Sequence, residues 1–166
     1  MTKIVFNHGK ESGPWGHKIE ALAKVAKSRS FAVDSIDYQD QMDPDDRADR
    51  LARYLDDYQG DRVILVGSSM GGYVALANSE HAKATGCFLM APALYMGGKV
   101  DFDTLRPNGS VSVVHGWRDD IVDWQHSVKF CQRIAAELHL IDDDHRLVNR
   151  LDVVVRDFEL FLESMT

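Results

Sequence analysis

The chain has 166 residues, which at about 150 residues per domain points to one domain. Its composition, 45% hydrophobic and 27% charged, is globular and excludes a disordered chain. A net charge of −7 argues against a general nucleic-acid binder, which needs a basic stripe. The longest apolar run, 87–96, is broken by Pro92 and is too short to span a bilayer as a helix.

The opening Met1-Thr2-Lys3-Ile4-Val5-Phe6 lacks the apolar stretch and small-residue cleavage site of a signal peptide. Cys87 and Cys131 both fall in apolar or helical patterns and read as buried free thiols. The metal spacings CxxC and HExxH are absent. A cytoplasmic protein without a metal, a disulfide or a membrane span is therefore expected.

The predicted elements alternate from end to end. Residues 4–7 open as a strand, and 17–29 place Ile19, Leu22, Ala23 and Ala26 at helical spacing. A second strand covers 31–37. Asp43-Pro44 then supplies an N-cap followed by proline at the first helical position. The helix to Tyr58 carries Asp46/Arg50 and Asp49/Arg53 at i,i+4 and reads as a solvated charged face. A strand at 62–66, a helix at 71–80 and a strand at 86–90 follow. After a loop rich in Gly, Pro and Asp at 92–110 come a strand at 111–115, a helix at 125–136 and a strand at 137–141. The last helix, 147–162, stacks Leu147, Leu151, Val154, Phe158 and Phe161 on one face. Six strands separated by helices predict an α/β fold: a doubly wound, mostly parallel six-stranded sheet with helices on both faces. Ligands of such sheets sit at the carboxyl ends of the strands, so the turns after each strand carry the functional question.

After the third strand the chain reads Gly67-Ser68-Ser69-Met70-Gly71-Gly72, a G-x-S-x-G pattern centred on Ser69. A sharp strand-to-helix turn exposes the central hydroxyl, and small residues two positions either side let the backbone approach itself. The backbone N–H of Met70, at the helix start, would face a developing oxyanion. The phosphate-loop pattern GxxxxGK[ST] is absent. A serine nucleophile needs a base and a group that orients the base. Of seven histidines, His126 lies in a helical segment, His139 in a strand, and His17 and His81 near helix ends. His8 and His115 precede glycine and suit the shaping of turns. His145 occupies the last strand-to-helix turn and is the candidate base. The orienting acid is expected after the fifth strand, with Asp119 first and Asp120 second. Asp123 reads as a helix cap, and Asp142, Asp143 and Asp144 as caps of the last helix that keep the loop solvated.

In these motifs the chain resembles an α/β-hydrolase, in particular the small bacterial esterase-like members without a lid. Gly67-Ser68-Ser69-Met70-Gly71 resembles the nucleophile elbow, His115-Gly116-x-x-Asp119 the turn with the triad acid, and Asp144-His145 the turn with the histidine. The order Ser69, Asp119, His145 is that family's order. Asn7-His8-Gly9-Lys10 resembles the HG segment that precedes the second oxyanion donor, which implies the N–H of Lys10, with Glu11 as the alternative. The first predicted strand resembles the family's third, so the resemblance implies a reduced sheet, and it implies an open site.

Trp15, Trp117 and Trp124 follow strands on the catalytic face, as do Leu94, Tyr95 and Met96. Trp117, Leu94 and Tyr95 are the expected apolar wall for an acyl or alcohol group. The expected function is hydrolysis of a small-molecule carboxylic ester or thioester through an acyl-enzyme, with no metal or organic cofactor. The alternative from another class is a non-catalytic binding protein that keeps the hydrolase fold.

Overall fold

A computed structural model describes residues 1–166. Six strands form one sheet: β1 (Thr2–Asn7), β2 (Ala32–Ile36), β3 (Arg62–Ser68), β4 (Ala84–Met90), β5 (Ser110–Gly116) and β6 (Glu137–Ile141). Their order is β2-β1-β3-β4-β5-β6, and every neighbouring pair is parallel. The helices are α1 (His17–Ser28), α2 (Pro44–Asp57), α3 (Met70–Ala77), α4 (Trp124–Ile134) and α5 (Leu151–Ser164).

Strand alternation sorts the apolar side chains into two cores. Val5, Val63, Leu65, Cys87, Leu89 and Val113 point to one face and pack with residues of α2, α3 and α4. Ile4, Phe6, Ile64, Val66, Phe88, Met90 and Val114 point to the other and pack with α1 and α5. Both cysteines are buried and free, and burial pushes each thiol up to about 12. The β4–β5 connection has no helix. It packs into the first core through Leu94 and Phe102, and Arg133 of α4 donates to the carbonyls of Phe102 and Leu105. No helix is long and apolar enough to cross a membrane.

The strand order places the site. From β1 the chain moves outward to β2, then crosses back to β3 and runs on to β6. Helix α1 packs on one face and α2 and α3 on the other, so the turns after the neighbouring strands β1 and β3 meet at the point where the strand order reverses, the usual ligand position in open α/β sheets.

Three expectations about the helices differ from the structure. The last helix begins at Leu151, not at 147; Leu147 takes a left-handed φ of 56° and reaches the core from a loop. The helix after Ser69 ends at Ala77, short of residue 80. Arg50 turns from Asp46 to Asp40, which it grips with two bonds of 2.7 and 3.0 Å; the planar guanidinium matches a carboxylate better in this bidentate form.

Candidate active site

Ser69 sits between β3 and α3 with φ 56° and ψ −117°. A left-handed backbone costs a non-glycine residue about 1–2 kcal/mol, so the surroundings must impose it. They do so by close approach. A Cβ on Gly67 would lie 2.2 Å from the carbonyl oxygen of Gly71, and one on Gly71 would lie 1.8 Å from that of Asn7. The elbow is thus pressed on itself and on the end of β1. Ser69 N–H donates to Met90 O at 3.0 Å, and Ser69 O accepts from Gly72 and Ala93, each at 2.9 Å. Met70 opens α3, so its N–H has no intrahelical acceptor.

His145 joins this serine to the acid. Its Nδ1 lies 2.7 Å from Asp119 Oδ2 and its Nε2 3.0 Å from Ser69 Oγ. The nitrogen that faces the carboxylate carries the proton, which leaves Nε2 to accept from the serine hydroxyl. Asp119 has a fully buried side chain. Its Oδ1 accepts from the N–H groups of Ile121 and Val122 at 2.9 and 2.8 Å. Burial pushes its pKa up, but the bonds from His115, His145, Val122 and Ile121 outweigh that and hold the carboxyl well below the usual range. Asp120 is exposed, and Asp123 caps α4 through Gln125 N–H at 2.8 Å.

The loop after β1 runs beside the serine: a Cβ on Gly9 would stand 3.6 Å from Ser69 Cβ. Lys10 is exposed, and its N–H makes no backbone hydrogen bond.

The expected apolar wall needs correction. Leu94 is fully buried in the core and presents no surface to a ligand. Tyr95 is half-buried; its ring packs against Phe102 and His126, and Lys129 sits 4.2 Å from the ring centroid. Trp117 is half-exposed and meets Trp124 edge-on at 4.7 Å. Trp15 lies along the flank of α1, where Lys27 stacks over it at 5.8 Å. Asp143 also differs from expectation. It is buried, not solvated, and accepts from Asp144 N–H, Asn149 Nδ2 and Arg150 N–H at 2.8, 3.0 and 2.7 Å. Those bonds hold it below its usual pKa against the upward push of burial.

Two further groups adjoin the site beyond the residues expected to form it. His115 Nε2 faces Asp119 Oδ2 and Val122 O, each at 3.0 Å, so it carries the proton, and its Nδ1 accepts from Ser127 Oγ at 2.7 Å. His115 therefore shapes its turn, as expected, and also shares the oxygen that holds His145. Lys18 donates to Ser68 Oγ at 3.0 Å. Burial and nearby Arg146 lower its pKa to about 8, against the pull of Asp119, Asp143 and Asp144. Lys18 carries no motif; a lysine in the first turn of an amphipathic helix reads as solvated.

The sequence profile of the uncharacterised protein family UPF0227 matches residues 3–101. No curated protein matches in sequence at a significant level. Among solved structures, a protein of Xanthomonas campestris assigned to the alpha/beta hydrolase superfamily is 31% identical, with TM-score 0.88 over 98% of each chain. Mouse alpha/beta hydrolase domain-containing protein 10 is 19% identical with TM-score 0.77, over 99% of this chain and 90% of that one. Est1E of Butyrivibrio proteoclasticus, with ferulic acid bound, is 17% identical with TM-score 0.80, over 99% and 89%. The last two share the fold. The profile match over more than half of the sequence, with the near-complete overlap on the Xanthomonas structure, places this chain in the UPF0227 family, within the alpha/beta hydrolase superfamily.

Proposed function

We propose that the chain is a serine hydrolase that cleaves a small-molecule carboxylic ester or thioester through an acyl-enzyme. The observation that carries this reading is the unbroken chain Ser69–His145–Asp119, with links of 3.0 and 2.7 Å, on a serine held at positive φ. Ser69 Oγ bonds to the acyl carbon as its proton passes to His145 Nε2, and the carbonyl electron pair moves onto oxygen. The N–H groups of Met70 and Lys10 hold that oxyanion; each such donor is worth about 3 kcal/mol in the transition state. Collapse breaks the bond to the leaving alkoxide or thiolate, which takes the proton from His145. Water then attacks the acyl-enzyme, gives its proton to His145, and Ser69 departs with that proton as the acid is released. Asp119 keeps the imidazole in the productive tautomer and stabilises its cation. Trp117, half-exposed and two residues from Asp119, would offer an apolar surface to the substrate.

Labelling with a fluorophosphonate, followed by location of the tagged residue, tests this reading. Ser69 should carry the label, and Ser69→Ala should abolish it and lower kcat on an activated ester by about 10⁵–10⁶. Folded wild-type protein that neither labels nor turns over such esters would favour the binding-protein alternative.

A further inference from the structure

Arg47 is fully buried, yet no carboxylate pairs with it; Asp40, nearby, is held by Arg50. It stands one turn before Leu51 and two before Leu55 on the inward stripe of α2, where an apolar residue would satisfy packing without burying a charge. Its five N–H groups are instead all spent on carbonyl oxygens. Nε donates to Gln41 at 2.6 Å. Nη1 donates to His8 and Gly9 at 3.2 and 3.1 Å, and Nη2 to Lys10 and Tyr38 at 3.3 and 3.2 Å. Three of these acceptors are consecutive residues of the loop that passes beside Ser69.

A trans peptide is planar, with its C=O and N–H pointing in opposite directions. Carbonyls of His8, Gly9 and Lys10 turned toward Arg47 therefore turn the N–H groups of Gly9, Lys10 and Glu11 away from it. The three peptides are not held equally. Gly9 O also accepts from His8 Nδ1 at 2.7 Å. That proton is on Nδ1 because Nε2 accepts from Tyr38 N–H at 2.8 Å, and burial keeps this histidine below its ordinary pKa and neutral. Ser12 Oγ adds a longer bond to Gly9 O at 3.4 Å. The Gly9–Lys10 peptide is thus clamped by three donors, and its N–H belongs to Lys10. Lys10 O, which controls the Glu11 N–H, has one donor at 3.3 Å.

We propose that Arg47 is the positioning residue of the oxyanion hole: it clamps the carbonyl side of the 8–10 loop so that the Lys10 N–H is aimed at the acyl oxygen on Ser69. This rests on the serine-hydrolase reading above. The guanidinium, the peptide dipole and the oxyanion then lie in one head-to-tail series, preorganised before the charge develops. The same geometry selects Lys10 over Glu11 as the second donor.

The test uses Arg47→Lys, which keeps the charge and loses the fork, and Arg47→Met, which keeps the volume and loses both. Folded fraction is counted by thermal unfolding and active fraction by fluorophosphonate titration. Per active site, both variants should lose about 100-fold in kcat, the effect of one oxyanion donor, with KM within about threefold. Affinity for a boronic acid, which forms the tetrahedral adduct on serine, should fall by the same factor, and the pH profile set by His145 should not move. A merely structural role would lower the titrated fraction and leave the remainder at the wild-type rate, which overturns the proposal. A measurement on wild type stands apart from variant folding. Boronic acid binding should shift the Lys10 amide proton downfield by NMR and leave Glu11 nearly unmoved; the reverse pattern overturns the assignment. Wild-type protein without labelling or turnover would instead remove the serine-hydrolase reading itself, and this proposal with it.

Discussion

The turn after β3 and the loop after β6 supply two neighbouring members of one hydrogen-bonded chain, Ser69 and His145, yet they are built from different material. The Ser69 elbow is made by backbone against backbone: two glycines whose missing Cβ atoms leave 2.2 and 1.8 Å to neighbouring carbonyls, and a serine at positive φ. The His145 loop is made by side chains. Buried Asp143 gathers three donors to fold residues 143–150 back on themselves, and buried Asp119 reaches across from β5 to hold the ring. The first design tolerates no added atom but needs no charge. The second tolerates changes on its exposed rim but fails if a buried carboxylate loses its acceptor capacity, because a buried donor without a partner costs about 1–3 kcal/mol.

Among changes that leave the Ser69 hydroxyl in place, the largest effect should come from breaking the side-chain design at its centre. Asp119→Asn replaces an acceptor pair with one acceptor and one donor beside two histidine N–H groups, and kcat on an activated ester should fall about 10⁴-fold. Asp120→Asn, at an exposed position, should stay within about twofold. Steady-state kinetics on both variants decide it; a larger loss at residue 120 would contradict the distinction between buried and rim carboxylates.

Breaking the backbone design should appear in stability before activity. Gly71→Ala drives a methyl into the Asn7 carbonyl, with only main chain to yield, and should cost at least about 3 kcal/mol. Asp142→Asn, whose side chain is 75% exposed and pairs with Arg118, should cost less than about 0.5 kcal/mol. Urea unfolding of both measures the contrast. Comparable losses would show that the elbow is softer than its geometry requires.

The smallest effect concerns Lys18, which bonds Ser68 of the elbow and faces the carboxylates of the histidine loop. Its folded pKa, about 8, lies below the ordinary 10.5 because burial disfavours the cation. Between those values the unfolded chain binds more protons, so this group's contribution makes wild-type stability rise with pH. Below about 8 the penalty is fully present. Lys18→Met should therefore raise Tm at pH 7 by roughly 2–4 °C, and the gain should vanish by about pH 10.5. A gain independent of pH would mean that packing, not charge, separates the two proteins.

What could be read from the residues was what their near neighbours enforce. Neighbours such as Ile4 and Val5, or Leu65 and Val66, had to face opposite sides of the sheet, because successive strand side chains alternate. Glycines two positions either side of Ser69 marked the elbow, because its close contacts lie within and just beside a five-residue turn. The turns that carry Asp119 and His145 followed from the succession of strands and helices along the chain and the carboxyl-end rule. Other features depended on partners far apart in sequence. Arg47 belongs to no motif, and it is drawn inside only because α2 packs beside a loop 37–39 residues earlier. Lys18 met Ser68 across 50 positions. Leu94 followed a strand on the expected side but went into the core, and Asp143, in a run of three aspartates, became the buried pivot of its loop. A helix or strand is set by periodicity and sterics that repeat locally. Which polar side chain is drawn inside is set by the carbonyls and amides that the packed elements leave without partners, and those exist only once the chain has folded.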